Sequence, residues 1–391
     1  MFSSRTEWNT TPNQLTALAA AKRMKGEVLL DLSESNPTRC GFTYPEKEIL
    51  AALAAPASMC YSPEPRGALS ARTAIAEYYA SRGSVIAPEQ VLLTASTSEA
   101  YSFIFKLLCN QGDEVVIPKP SYPLLEYLCQ LNDTALRQYR LMYDGEWHID
   151  FESLQSAMSG RARAVVLIHP NNPTGSFLKQ QEFDRVCALA ADHRCAVIVD
   201  EVFQPYGFSH NDHRAKMFAQ QPPVLLFALT GISKLLGLPQ LKLSWIVVSG
   251  NPVHTAEAMD RLDIIADTYL SVNTPVQIAL PRLLSLASSL EHQIRERVQT
   301  NYRSLQTIFL NSLSSVFHVE GGWYAILRFP QMKSDDQWAE EILDRLNIVV
   351  QPGHYYGLEE KSCLVLSLLP EAELFHDAAA TICKFLHDAG K

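Results

Sequence analysis

Between residues 85 and 250 the chain alternates short apolar, β-branched runs with segments whose apolar positions recur at three- and four-residue spacing. Residues 90–94, 114–117, 164–168, 196–200, 224–229 and 243–249 have the continuous apolar texture of strands covered on both faces. The segments between them, such as 179–192, carry helical spacing. This alternation predicts an α/β fold, a mostly parallel sheet sandwiched by helices. Right-handed crossovers then place the loops that follow the strands along one edge, where open α/β sheets bind ligands.

After Pro275 the pattern changes. A helical stretch over 287–313 leads to candidate strands 317–319 and 324–329, a helix near 336–346, strands 348–350 and 364–368, and a terminal helix. The expected division is a large domain over 46–285 and a smaller α+β domain built from 1–45 and 286–391.

Composition narrows the class. The chain has 391 residues, 47% of them hydrophobic, enough for two or three compact units with buried cores. Charged residues make up 19%, and 33 basic against 42 acidic side chains give −9 with no dense basic run, which argues against nucleic acid or an anionic membrane as partner. No apolar run approaches the roughly 20 residues of a membrane helix, and residues 1–14 lack the apolar core of a signal peptide, so a cytoplasmic location is expected. Eight scattered cysteines form no C-x-x-C pair and read as free thiols.

Five features sit at predicted strand ends. Ser96, Thr97, Ser98 and Glu99 open a helix, with Ser96 and Glu99 at capping-box spacing; alone this is an ordinary cap, but free N–H groups and hydroxyls also suit a phosphate. Tyr122 follows a strand and can cover a bound ring, although a lone loop tyrosine is more often surface packing. The string from His169 to Gly175 is turn chemistry, in which Asn172 offers a rigid amide donor. Asp200 ends an apolar strand and needs a partner there. Ser233 and Lys234 follow another, and a lysine between apolar strands is less readily a solvated surface charge. A phosphate cradle, a stacking aromatic, an amide donor, an acid and an amine together match the groups of pyridoxal phosphate.

Through Asn172-Pro173-Thr174-Gly175, Asp200-Glu201-Val202 and Ser233-Lys234, in that order and spacing, the sequence resembles the class I/II aminotransferases of the fold-type-I pyridoxal-phosphate enzymes over nearly its whole length. The resemblance implies a homodimer with active sites at the subunit interface. It implies that Lys234 forms the internal aldimine and shuttles a proton, that Asp200 keeps the pyridine nitrogen protonated, that Asn172 donates to the phenolic oxygen and that Tyr122 stacks on the ring. Ser96, Thr97, Ser98 and Ser233 fall at phosphate contacts, and Tyr61 resembles the tyrosine that reaches the phosphate from the neighbouring subunit.

Four positions depart from the family pattern. Phe203 stands where many relatives have a tyrosine that bonds the phenolic oxygen, a loss expected to raise the imine pKa. Lys242 replaces an arginine near the phosphate, and Gly231 a frequent serine. Val365 occupies the place of the arginine that grips the substrate α-carboxylate. Asn36 and Arg39, in and just after a stretch that lines the substrate pocket in relatives, are the candidates to contact substrate instead. The implied activity is transfer of an amino group between an amino acid or related amine and a 2-oxo acid. Its alternatives are a pyridoxal-phosphate-dependent lyase, decarboxylase or synthase on the same scaffold, and, with less support, a cofactor-binding regulator.

Overall fold

The computed structural model describes residues 1–209, 211 and 213–389. Eight strands form the main sheet: β1 (Val91–Thr94), β2 (Glu114–Lys119), β3 (Ala135–Tyr143), β4 (Trp147–Ile149), β5 (Ala162–Ile168), β6 (Ala196–Asp200), β7 (Leu226–Gly231) and β8 (Ser244–Ser249). Their spatial order is β1-β8-β7-β6-β5-β2-β3-β4. Strands β7, β6, β5, β2 and β3 are parallel in succession, β8 runs against both its neighbours, and β4 turns back along β3. The α/β architecture is the expected one.

Alternation along each strand divides the sheet's side chains between two cores. Leu92, Ile198, Phe227, Leu229 and Ile246 pack on one face against helices Thr97–Leu108 and Pro252–Tyr269. Leu93, Val165, Val197, Ala228 and Val247 pack on the other against Leu69–Ala80, Gln180–Asp192 and Thr274–Ser285. Because both faces are covered, β1 and β7 are buried at every position, which is why they read as unbroken apolar runs. Near the sheet edge, β3 keeps only Tyr139 fully buried among exposed polar neighbours, and its sequence carried no strand signal.

The remaining chain builds a four-stranded antiparallel sheet in the order Ser315–Val316, Tyr324–Arg328, Cys363–Ser367, Gln351–Pro352, flanked by helices Ala287–Phe309, Asp335–Leu346 and Ala372–Ala389. Leu15 and Ala19 of helix Gln14–Met24 and Leu32 of the N-terminal arm share its core, and Leu30–Asp31 pairs with Ile348–Val349. The strand expected at 317–319 ends instead at Val316. Beyond it the hydroxyls of Tyr143 and Tyr302 accept the N–H groups of His318 and Val319, taking the place of a strand partner.

Candidate active site

Strands β1, β2, β5, β6 and β7 run in one direction, so the segments that follow them converge on one edge of the sheet. All five sequence features lie there. Asp200, the last residue of β6, accepts from the Tyr101 hydroxyl at 3.1 Å and the Val202 N–H at 3.2 Å. Desolvation pushes its carboxyl up to about 6; the Val202 N–H, the Tyr101 hydroxyl and the charge of Lys234 limit the rise. Desolvation likewise pulls the Lys234 ammonium down to about 8, against the pull of Asp200.

Lys234 sits on the short helix Ile232–Leu235 directly after β7. Its Nζ lies 5.0 Å from the centre of the Trp323 ring and 5.8 Å from that of Phe203. The Tyr206 hydroxyl donates to the carbonyls of Lys234 at 2.6 Å and Leu235 at 3.2 Å, fixing the turn that carries the amine. From the arm, Tyr44 donates to the Gly237 carbonyl at 2.8 Å. Glu201, next to Asp200 in the chain, faces the opposite side of the sheet, where it lines a cavity of about 400 Å³ with Tyr78, Arg82, His169 and Arg214. Desolvation, then the Asp200 charge, pushes its carboxyl up to about 8.

At the other end of the cleft, Ser96 caps helix Thr97–Leu108 by accepting from the Glu99 N–H at 3.1 Å. Glu99 reaches back to the Ala95 N–H at 2.7 Å, one residue before the cap expected for it. Among the described residues nothing pairs with the N–H groups or hydroxyls of Thr97 and Ser98, or with the hydroxyl of Ser233. These donors at the start of a three-turn helix form a ready anion cradle. Lys242 is exposed nearby in a left-handed backbone conformation.

The turn after β5 is built by Asn171, which donates to the Pro120 carbonyl at 3.3 Å and accepts from the Thr174 hydroxyl at 3.0 Å. Gly175 (φ +69°) closes it; a Cβ there would meet the Gly321 carbonyl at 2.5 Å. Asn172 is thereby left buried with an amide oxygen that has no partner. A half-turn of that amide places its NH₂ there instead, so the unpartnered position can present a donor. Tyr122 is 41% exposed beside this turn, and burial, then the Asp200 charge, raises its hydroxyl above the usual tyrosine range. Tyr61 is 75% exposed and lines a surface pocket with Leu93, Leu270 and Ser271.

Val365, at the place expected for the carboxylate-gripping arginine, is buried opposite Ile326 and Gln351, on the same strand face as Ser367. Arg39 points to solvent, its side chain 75% exposed and 4.0 Å from Glu34. Asn36 uses its amide oxygen to accept from the N–H and hydroxyl of Thr38. The structure therefore gathers Ser96, Thr97, Ser98, Tyr122, Asn172, Asp200, Ser233 and Lys234 at one edge, and leaves Arg39 outside.

Three site residues were not singled out from the sequence. Tyr101 lies on a helix face that reads simply as apolar, Tyr206 has no local signal, and Trp323 follows a glycine pair in an aromatic stretch that structural packing accounts for. Phe203 packs edge-on against Trp323 at 5.2 Å, filling with apolar contact the place where a hydroxyl was expected to be missed.

An orphaned buried amide, a desolvated amine and unpaired donors at a helix start fit pyridoxal phosphate: Lys234 would bind its aldehyde, Asp200 its ring nitrogen, Asn172 its phenolic oxygen and the Ser96–Ser98 turn its phosphate. Such a sheet with such an edge is that of the fold-type-I pyridoxal-phosphate transferases. The family profile "Aminotransferase class I and II" matches residues 29–380, and the chain belongs to that family. Among curated relatives, the glutamate-pyruvate aminotransferase AlaA of Haemophilus influenzae is 24% identical over 93% of this chain and 92% of its own. The alanine aminotransferase of Mycobacterium tuberculosis is 27% identical over 93% of this chain and 86% of its own. Among solved structures, the alanine aminotransferase of Pyrococcus furiosus superposes with a TM-score of 0.90 at 21% identity, covering 99% of this chain and all of the other.

Proposed function

We propose that this aminotransferase moves an amino group between an amino acid, or a related amine, and a 2-oxo acid, with pyridoxal 5′-phosphate held in the cleft. One observation carries the reading: the Lys234 amine, pulled down to about 8, stands at the strand edge with the Asp200 carboxylate and the Trp323 ring. The cofactor supplies an aldehyde that takes up amino groups and a cationic ring that withdraws electrons from the substrate Cα. Lys234 would hold that aldehyde, and its amine, once free, would carry the Cα proton as a base of suitable strength near neutral pH. Asp200, ionised above pH 6 and oriented by Tyr101 and Val202, keeps a proton on the ring nitrogen.

Asn172 donates to the phenolic oxygen and Tyr122 covers the ring. Ser96, Thr97, Ser98, Ser233 and Lys242 hold the phosphate, completed by Tyr61 of the partner subunit. The homodimer this requires is supported by the exposed apolar side chains of Met59, Leu69, Ile264, Tyr269 and Leu270. Asn36 is the arm residue assigned to substrate; Arg39 reaches it only by leaving Glu34. The division into 46–285 and 1–45 with 286–391 is supported by the separate cores, although Trp147, Phe203 and Tyr206 join the second core and Ala287 and Leu290 the first. A cytoplasmic location is supported by eight cysteines that are all free, and among the described residues no helix is long and apolar enough to cross a membrane.

The test is a half-reaction. Cofactor-loaded protein given L-alanine, L-glutamate or a panel of amines should form one equivalent of pyridoxamine phosphate per subunit, and Lys234→Ala should form none. Ammonia and an oxo acid without pyridoxamine phosphate would mean elimination and overturn the proposal.

A further inference from the structure

Gly231 is not a glycine for backbone reasons. Its φ of −179° is extended, a conformation any residue adopts. Space is what excludes a side chain: a Cβ built there would lie 2.1 Å from the Ser244 hydroxyl oxygen and 2.7 Å from the Ser244 Cβ. The two residues are direct partners across the antiparallel β7–β8 ladder, so their side chains share one face and one volume. That face is the one bearing Asp200, because Leu229, two residues before Gly231, is the register partner of Asp200.

Ser244 also pairs with Thr94 at the end of β1, two residues before the helix cap Ser96. Thr94, Ser244 and Gly231 thus form a row from the anion cradle to the turn carrying Ser233 and Lys234. Within that row the Thr94 hydroxyl is committed to the Ser96 carbonyl at 3.1 Å. Ser244 is 2% exposed, and among the described residues no hydrogen bond uses its hydroxyl.

We infer that Ser244 is a phosphate-binding residue: it reaches across the ladder and delivers from β8 the hydroxyl that a serine at position 231 would deliver from β7. The loss at Gly231 is then one half of an exchange, since only one of the two positions can carry a side chain. The inference rests on the reading that this cleft holds pyridoxal phosphate, and its ligand chemistry is a phosphate monoester dianion.

The experiment measures dissociation constants for pyridoxal phosphate and for phosphate-free pyridoxal on cofactor-stripped protein by absorbance titration, with melting temperature as a check on folding. Ser244→Ala should weaken pyridoxal phosphate about tenfold, the scale of one hydrogen bond to a charged acceptor. Pyridoxal binding should stay within about twofold, well inside that one-bond scale. Gly231→Ser alone should lower the melting temperature, because two side chains then compete for one volume. Gly231→Ser/Ser244→Gly should bind pyridoxal phosphate more tightly than Ser244→Gly and melt above Gly231→Ser. Unchanged affinity in Ser244→Ala, equal losses for both ligands, or a double variant no tighter than Ser244→Gly would each overturn the assignment. Wild-type protein that binds no pyridoxal phosphate would overturn the functional reading itself, whereas wild-type binding with indifferent Ser244 variants would overturn only this inference.

Discussion

At the cofactor end of the cleft each departure from the family pattern is met by a neighbour: Ser244 fills the volume beside Gly231, Lys242 keeps a positive charge, and Phe203 packs on Trp323. At the substrate end Val365 lies buried between Ile326 and Gln351, and the arm's Arg39 faces water. The contrast separates two demands on the same pocket. Gripping and polarising the cofactor leaves little freedom, so a lost group must be replaced locally. Gripping the substrate depends on which substrate is used, and an arginine can go once the carboxylate it served is held differently or is absent.

The sharpest way to break the cofactor half is Lys234→Ala, expected to lower single-turnover formation of pyridoxamine phosphate by at least about 10³-fold. Next, Asp200→Asn removes the charge proposed to meet the ring nitrogen and should reduce kcat by about 10²-fold, the scale of a lost electrostatic stabiliser. Tyr101→Phe tests the same contact more gently. Its hydroxyl favours the Asp200 carboxylate, so removing it raises the pKa above 6, and the acid limb of a kcat/KM profile should move to higher pH. In cofactor-free protein the sign is fixed by linkage. Asp200 binds its proton more tightly folded than unfolded, so it contributes stability below its ordinary 3.8 that is lost as pH rises through about 6, and denaturant titrations from pH 4 to 7 should show this decline.

The substrate half is sharpened by Val365→Arg. If this position faces the carboxylate, KM for α-amino acids should fall about tenfold while that for carboxylate-free amines holds, the signature of one charge-assisted fork. An equal change for both would place the carboxylate grip elsewhere. The smallest effect is expected from Phe203→Tyr, which restores a phenolic donor beside Lys234: the absorbance titration of the bound cofactor should move to lower pH by up to about one unit.

What the sequence revealed follows the same physical divide. Interior strands announced themselves because burial on both faces demands unbroken apolar runs, and the chemistry at their ends stood out as polar residues closing such runs, as at Asp200 and Lys234. Strand β3 was silent because it lies next to the sheet edge, where β4 covers only its last three residues and Arg137, Gln138 and Arg140 can stay exposed. Tyr101 and Tyr206 were silent because their partners lie 99 and 28 residues away, at distances no local pattern encodes. Ser244 needed the ladder register: its neighbour in space is Gly231, thirteen positions back, and only the antiparallel return of β8 brings them together.

One consequence of the pleat at the end of β6 concerns mutational tolerance. Asp200 and Glu201 are consecutive acids sent to opposite sides of the sheet, one toward Tyr101 and the other toward Tyr78 and Arg82. Deletion of a single residue within 196–199 would therefore not merely disturb packing; it would slide Glu201 into the place of Asp200, bringing a longer carboxyl to the ring side and sending the shorter one to the opposite face. Through these few positions the count of residues itself decides which acid faces Tyr101 and which faces Arg82.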